Sequence, residues 1–126
     1  MRHELEILDE IKLLSDDGQV IAWSNWWHFS YRGHRMVYQP NVDSQTLRIC
    51  IPHFDNVANY DPEVLLRAIN RVNREVRYVK IFILDNGSIS LNYDHRCECQ
   101  ADSCAIAKHI LETLIFAAEY LKNALF

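Results

Sequence analysis

Residues 78–94 read YVKIFILDNGSISLNYD, and the stretch contains two strand-like runs on either side of Asn86-Gly87. Asn-Gly is a strong turn signal because both residues tolerate a positive φ. In the second run Ile89 and Leu91 alternate with serine and asparagine, which is typical of a strand with one buried face. The stretch therefore predicts an antiparallel hairpin formed by residues 78–84 and 88–94.

A helix is predicted immediately before this hairpin. Asp61-Pro62-Glu63 is a helix-start signal, because aspartate caps the free backbone N–H groups and proline suits the first helical position. The helix is expected to run to about Val76 and to bury one apolar stripe, formed by Leu65, Ile69, Val72 and Val76.

Three further strands are predicted upstream of that helix, at residues 26–31, 35–39 and 46–52. Turn residues separate them, and Pro52 is expected to end the third strand. Residues 19–25 fit either an extended lead-in or a short strand. An amphipathic helix at 3–14 and a long helix at 102–125 flank the whole set.

The predicted order is α-β-β-β-α-β-β-α. Short links between successive strands favour antiparallel neighbours, so we expect a two-layer α+β fold with a mostly antiparallel sheet and helices on one side. Residues 1–126 are expected to form one domain, since this length supports one core.

The composition narrows the class of protein. The formal net charge is −4 and 49% of the residues are hydrophobic, which argues against binding nucleic acid, where Lys and Arg neutralise phosphates. The N-terminus alternates acidic and apolar residues and lacks the apolar run of a signal peptide, and no run is long enough to span a membrane. We therefore expect a cytoplasmic protein with reduced thiols.

Residues 95–104, HRCECQADSC, place three cysteines and a histidine close together. A metal site formed by His95, Cys97, Cys99 and Cys104 is conceivable, but the spacing differs from the paired C-x2-C of zinc ribbons and fingers. Alternatively, Cys104 at a helix start would have a lowered pKa and a redox role. The favoured interpretation is structural, with the cysteines acting as small apolar residues and no metal or cofactor bound.

The remaining polar candidates have ordinary interpretations. His28 and His53 lie on separate predicted strands and would meet across the sheet, but no nucleophile or cofactor motif accompanies them, so we predict no enzyme activity. Three arginines of the second helix share a narrow arc and offer an anion site, yet acidic residues four positions away favour surface ion pairs. These arginines are Arg67, Arg71 and Arg74.

Apolar residues predict the interfaces. Strand alternation sends Trp27 and Phe29 to one face and Trp26 to the other, so one tryptophan is exposed unless something covers it. The final helix is apolar most of the way round, which predicts burial on two sides and therefore a homodimer. The interface candidates are Trp26, Trp27, Phe54, Leu111, Ile115 and Phe116.

Two stretches resemble the YbjN family of bacterial sensory transduction regulators: WWHFSYRGHRMVYQPNVDSQTLRICIPHF at 26–54 and LLRAINRVNREVRYVKIFILDNGSISL at 65–91. In that family an N-x-x-N-like pattern on a helix, here Asn70 to Asn73, leads into a strand with lysine between apolar residues, here Val79-Lys80-Ile81.

The resemblance implies a fold like that of type III secretion chaperones. It also implies a non-enzymatic regulator or chaperone-like protein that forms a homodimer and binds a protein or peptide partner. The cysteine-containing segment is a departure from the family pattern, and it keeps open the alternative of a metal- or redox-responsive regulator using Cys97, Cys99 and Cys104.

Overall fold

The structure is a computed structural model that describes residues 2–43, 45–96 and 102–126. Three α-helices, six β-strands and one short 3-10 helix are present in these ranges. In chain order they are α1 (Arg2–Leu14), β1 (Ile21–Trp23), β2 (Trp26–Tyr31), β3 (His34–Asp43), β4 (Thr46–Asn56), the 3-10 helix (Val57–Asn59), α2 (Pro62–Glu75), β5 (Val79–Ile83), β6 (Ser88–Arg96) and α3 (Ser103–Leu125). The predicted order is confirmed, and the ambiguous lead-in contains a short strand, β1.

The six strands form one sheet in the order β1-β2-β3-β4-β6-β5, and every neighbouring pair is antiparallel. The predicted hairpin joins β5 to β6: Gly87 N–H donates to Leu84 O at 2.8 Å, and Leu84 N–H donates to Ser88 O at 2.8 Å. Gly87 has a φ of 85°, which explains why glycine is favoured at this turn position.

The predicted ends of two strands are wrong. Strand β3 continues past Pro40 to Asp43, and β4 continues past Pro52 to Asn56. In both strands the register shifts around the proline, between Gln39 and Asp43 and between Ile51 and Asp55. A proline is tolerated in a strand at such a bulge because no ladder hydrogen bond needs its missing N–H.

Both predicted helix starts are confirmed by their capping contacts. The Asp61 carboxylate accepts a hydrogen bond from Val64 N–H at 3.1 Å, and Pro62 is the first residue of α2. The Asp102 carboxylate accepts hydrogen bonds from Cys104 and Ala105 N–H groups at the start of α3. Each cap satisfies backbone donors that have no partner within the helix.

One apolar core lies between the sheet and the three helices, all on the same side of the sheet. Helix α3 packs against β4, β5 and β6, and it also contacts α1 and α2. Leu111 is 0% exposed and Ile115 is 4% exposed within one chain. The prediction that these two residues need a second copy to cover them is therefore wrong, because other elements of the same chain already bury them.

No helix in the described ranges is long and apolar enough to cross a bilayer.

Candidate partner-binding face of the sheet

The side of the sheet that faces away from the helices is called the open face. Strand alternation sends the core residues of β4, such as Ile49, towards the helices, and it sends Arg48 and Cys50 to the open face. Val37 on β3 lies directly opposite Cys50 and is also buried, although neither belongs to the core beneath the helices. The open face is thus partly apolar, and no helix of the described residues packs on it.

The middle of the open face is polar and is satisfied internally. Arg48 and Asp94 form a two-pronged ion pair, with Arg48 Nε 2.6 Å from one carboxylate oxygen and its terminal nitrogen 3.1 Å from the other. Ser90 Oγ donates to Asn92 Oδ1 at 2.8 Å. Burial raises the pKa of the neighbouring Cys50 thiol to about 11, so this cysteine is protonated and unreactive at neutral pH.

One end of the open face is strongly apolar, and we call it the tryptophan hairpin, residues 21–28. Strands β1 and β2 are joined by Ser24 and Asn25, which both have positive φ, at 55° and 67°. Such a two-residue turn matches the natural twist of a hairpin. The register places Trp23 opposite Trp26 and Ile21 opposite His28, so all four side chains project from the open face.

The two tryptophans are the exposed part of this hairpin. Trp23 is 71% exposed and Trp26 is 45% exposed. The Trp23 ring lies 5.4 Å from the His28 ring, and the buried Nε2 atom of His28 has no hydrogen-bond partner in the described part of the chain. Large exposed aromatic groups in one patch are unusual for a surface that only meets water.

A groove of about 780 Å³ adjoins the hairpin. The lead-in to β1, the β2–β3 turn region and the Pro52 bend of β4 form its walls. Its charged and titratable groups are Asp17, His28, His34, Arg35 and His53, and its apolar walls include Ile21, Val37 and Phe54. Arg35 has no ion-pair partner among the described residues, whereas Asp17 already accepts a hydrogen bond from Gln19 N–H at 3.0 Å.

The structure distributes the predicted interface residues over four environments. Trp26 lies on the open face, while Trp27 and Phe54 are half-buried against the core, with Phe54 also lining the groove. Leu111 and Ile115 are core residues. Phe116 is 57% exposed on the outer side of α3. Ile21 and Trp23 were not among the predicted interface residues, because Ser24-Asn25 contains no glycine and is not a strong signal for the positive-φ turn seen here.

The structure describes only part of the cysteine-rich segment, residues 95–104. Cys97 and Cys99 lie outside the described residues. Cys104 is exposed at the start of α3, and a hydrogen bond to the Glu10 carboxylate raises the pKa of its thiol. This direction is opposite to the lowered thiol pKa that the redox alternative requires of Cys104. Within residues 2–43, 45–96 and 102–126, no three His, Cys, Asp or Glu side chains are grouped for a metal ion.

The other polar candidates are placed as follows. His28 and His53 line the same groove, but His53 Nδ1 is hydrogen-bonded to Ser88 Oγ at 2.8 Å and His28 packs against Trp23. On α2, Arg67 pairs with Glu63 at 2.6 Å and Arg71 pairs with Glu75 at 3.4 Å. These pairs confirm the interpretation of the arginine arc as an ion-paired surface.

Comparisons with known proteins agree with this fold. A family model described as "YbjN: Putative bacterial sensory transduction regulator" matches residues 6–107. No curated protein matches the sequence significantly. A solved structure of an uncharacterized protein from Methanothermobacter thermautotrophicus superposes with a TM-score of 0.62 at 11% identity, covering 98% of this chain and 96% of that chain. At this identity the likeness concerns the fold alone.

Proposed function

This chain belongs to the YbjN family, and from that membership we propose that it is a regulator that binds a partner protein through the tryptophan hairpin and the adjoining groove. The description of the family as one of sensory transduction regulators supports a regulatory role, and the proposal includes no enzyme activity. The proposal adds a binding surface, a kind of partner and a homodimeric state, and it places the protein in the cytoplasm, where its thiols stay reduced.

The observation that carries the proposal is the exposed pair Trp23 and Trp26 on the open face. Tryptophan is enriched among the few residues that supply most of the binding energy at protein interfaces. Packing in the fold does not account for this pair, since the core of the protein lies on the other side of the sheet. A partner that covers both rings would bury a large apolar area at little ordering cost.

The groove indicates the chemistry of the partner. Arg35 supplies a positive charge without an ion-pair partner in the described chain, and three histidines add hydrogen-bonding ring nitrogens beside it. Ile21, Val37 and Phe54 supply apolar contacts on the same walls. The surface therefore suits a partner segment in which acidic residues alternate with aliphatic ones, because complementary charge fixes the register of such a segment.

The homodimer is part of the proposal, with a smaller surface than the sequence suggested. Since Leu111 and Ile115 are buried, the side of α3 that a second copy can reach contains Phe116, whose ring lies 6.0 Å from that of Tyr120. Light scattering coupled to size exclusion should give twice the chain mass of 14.9 kDa. Phe116→Glu should return the mass to that of one chain. A native protein that elutes as a monomer would contradict the proposed homodimer.

The partner surface is tested with a fluorescent peptide of alternating glutamate and leucine. We expect the peptide to bind with a change in the tryptophan fluorescence of the protein, and we expect Arg35→Gln to weaken this binding. Arg67→Gln is the control, because Arg67 is already paired on α2, and it should leave the affinity unchanged. A peptide with glutamine in place of glutamate should bind more weakly. Equal binding of both peptides would contradict the charge argument, and retained binding by a Trp23→Ala/Trp26→Ala variant would contradict the proposed surface.

A further inference from the structure

Strand β5 is an edge strand, because it pairs with β6 and ends the sheet order. An edge strand presents backbone N–H and C=O groups that a strand from another molecule can use. Phe82, Ile83 and Leu84, at the end of β5 and just after it, are also exposed. The edge thus combines free backbone groups with an apolar surface, which is the usual setting for strand addition.

The side chain of Asn73 occupies this edge. Its Oδ1 atom accepts a hydrogen bond from Ile81 N–H at 2.7 Å, and its Nδ2 atom donates to Ile81 O at 3.3 Å. Asparagine suits this position because one planar amide carries both an acceptor and a donor. A neighbouring antiparallel strand would offer Ile81 the same pair of groups.

Helix α2 brings Asn73 to this place. The residue before Asn73, Val72, belongs to the buried stripe of α2 and is fully buried. The helix ends where Val76 N–H donates a hydrogen bond to Val72 O. The chain then turns within a few residues into β5, with Tyr78 in a left-handed conformation at a φ of 72°. The helix and the strand therefore lie side by side, and the Asn73 amide reaches the middle residue of the strand.

The middle position matters for strand addition. Outward-pointing backbone groups alternate along an edge strand, so on β5 they belong to Val79, Ile81 and Ile83. An added strand that bonds to any two successive positions must bond to Ile81, and Asn73 is already there. We infer that Asn73 closes the β5 edge to strand addition by a second copy of this chain. This inference does not depend on the proposed partner surface.

Asn73→Ala tests the inference, with Asn70→Ala as the matched control. Asn70 lies on the same helix and is exposed, and its side chain makes no hydrogen bond to the described residues. We expect the Ile81 amide to exchange several-fold faster in Asn73→Ala, because it loses its acceptor. We also expect the light-scattering mass of this variant to rise at least two-fold above that of the native protein as concentration increases, while Asn70→Ala matches the native protein.

Asn73→Asp separates an open edge from general instability. The carboxylate can accept from Ile81 N–H but cannot donate to its carbonyl, and its charge would oppose an incoming strand. We expect this variant to keep the native mass despite losing one hydrogen bond. If Asn73→Ala exchanges faster at Ile81 but keeps the native mass, or if Asn73→Asp associates as strongly as Asn73→Ala, the inference is wrong and Asn73 only fastens α2 to the sheet.

Discussion

The two ends of the sheet differ in which groups they expose to solvent. At the β5 end, the chain covers the edge with its own polar side chain, since Asn73 bonds both backbone groups of Ile81. At the β1–β2 end, the edge strand has three residues, which limits strand addition by length alone. The hairpin instead presents Trp23 and Trp26 to solvent. Recognition at that end therefore depends on side chains rather than on backbone pairing.

The two ends also differ in how far their residues take part in the packing of the fold. At the β5 end, α2 and α3 contact both β5 and each other, and the Arg71 guanidinium of α2 lies 5.6 Å from the centre of the Tyr120 ring of α3. The hairpin side chains that project from the open face, such as Trp23 and Trp26, lie outside the core. A change in the hairpin should therefore alter partner affinity while leaving the fold intact. A change in the core should lower the stability of the fold while leaving the affinity of the folded protein unchanged.

The largest expected effect is on the free energy of unfolding. Leu111→Ala removes a fully buried side chain between the sheet and the helices, and it should cost about 2–5 kcal/mol. Trp23→Ala should cost less than about 1 kcal/mol, since it loses an exposed ring contact. Urea denaturation followed by circular dichroism measures both. Equal losses would show that the hairpin is part of the cooperative core and would end the contrast between fold and recognition surface.

The second effect is on partner affinity. Trp26→Ala should weaken binding of the acidic, leucine-containing peptide by about 2 kcal/mol, or roughly thirty-fold. Phe82→Ala is the matched control, since Phe82 is 47% exposed on the same face at the β5 end. Fluorescence anisotropy gives both affinities. A larger loss from Phe82→Ala would move the partner surface to the other end of the sheet.

Much of this contrast was not predictable from the sequence. The Asn86-Gly87 turn and the Asp61-Pro62 helix start are local signals, and they correctly predict a hairpin and a helix. The lengths of β3 and β4 depend on bulges that admit Pro40 and Pro52, which the pattern of apolar residues does not reveal. The cover over Leu111 depends on how the helices of one chain pack together, so helix periodicity alone could not distinguish an intrachain contact from a dimer contact.

The tryptophan hairpin and the Asn73 contact were also only partly predictable from the sequence. Trp26 was predicted because strand alternation separates it from Trp27, and this separation is confirmed. Trp23 joins it only because Ser24 and Asn25 both adopt positive φ, a conformation that non-glycine residues seldom adopt. The pattern ending in Asn73 was visible in the sequence, but its contact with Ile81 is tertiary and follows from the tight connection between α2 and β5.

The smallest expected effect is an acid sensitivity confined to the hairpin between β5 and β6. Asp55, at the bulge of β4 opposite Ile89, accepts hydrogen bonds from Tyr60 Oη at 2.5 Å, Asn59 Nδ2 at 2.6 Å and Asn56 N–H at 2.8 Å. The hydrogen bond from Tyr60 is the main reason that the pKa of Asp55 is lowered. A carboxyl group with a lowered folded pKa stabilises the fold above its unfolded pKa, about 3.9, and this contribution is lost as the pH falls through the folded pKa.

Asp55→Asn should therefore lower the melting temperature at pH 7 slightly and flatten its fall below about pH 4. Burial and the Asp55 contact raise the pKa of Tyr60 to about 12, so the native protein should also lose stability as the pH rises from about 10 towards that value. Amide exchange should locate the acid effect near Ser88 and Ile89, while the amides of the tryptophan hairpin keep their neutral-pH protection. An equal loss of amide protection at both ends of the sheet would contradict the idea that polar side chains stabilise the β5 end independently of the β1–β2 end.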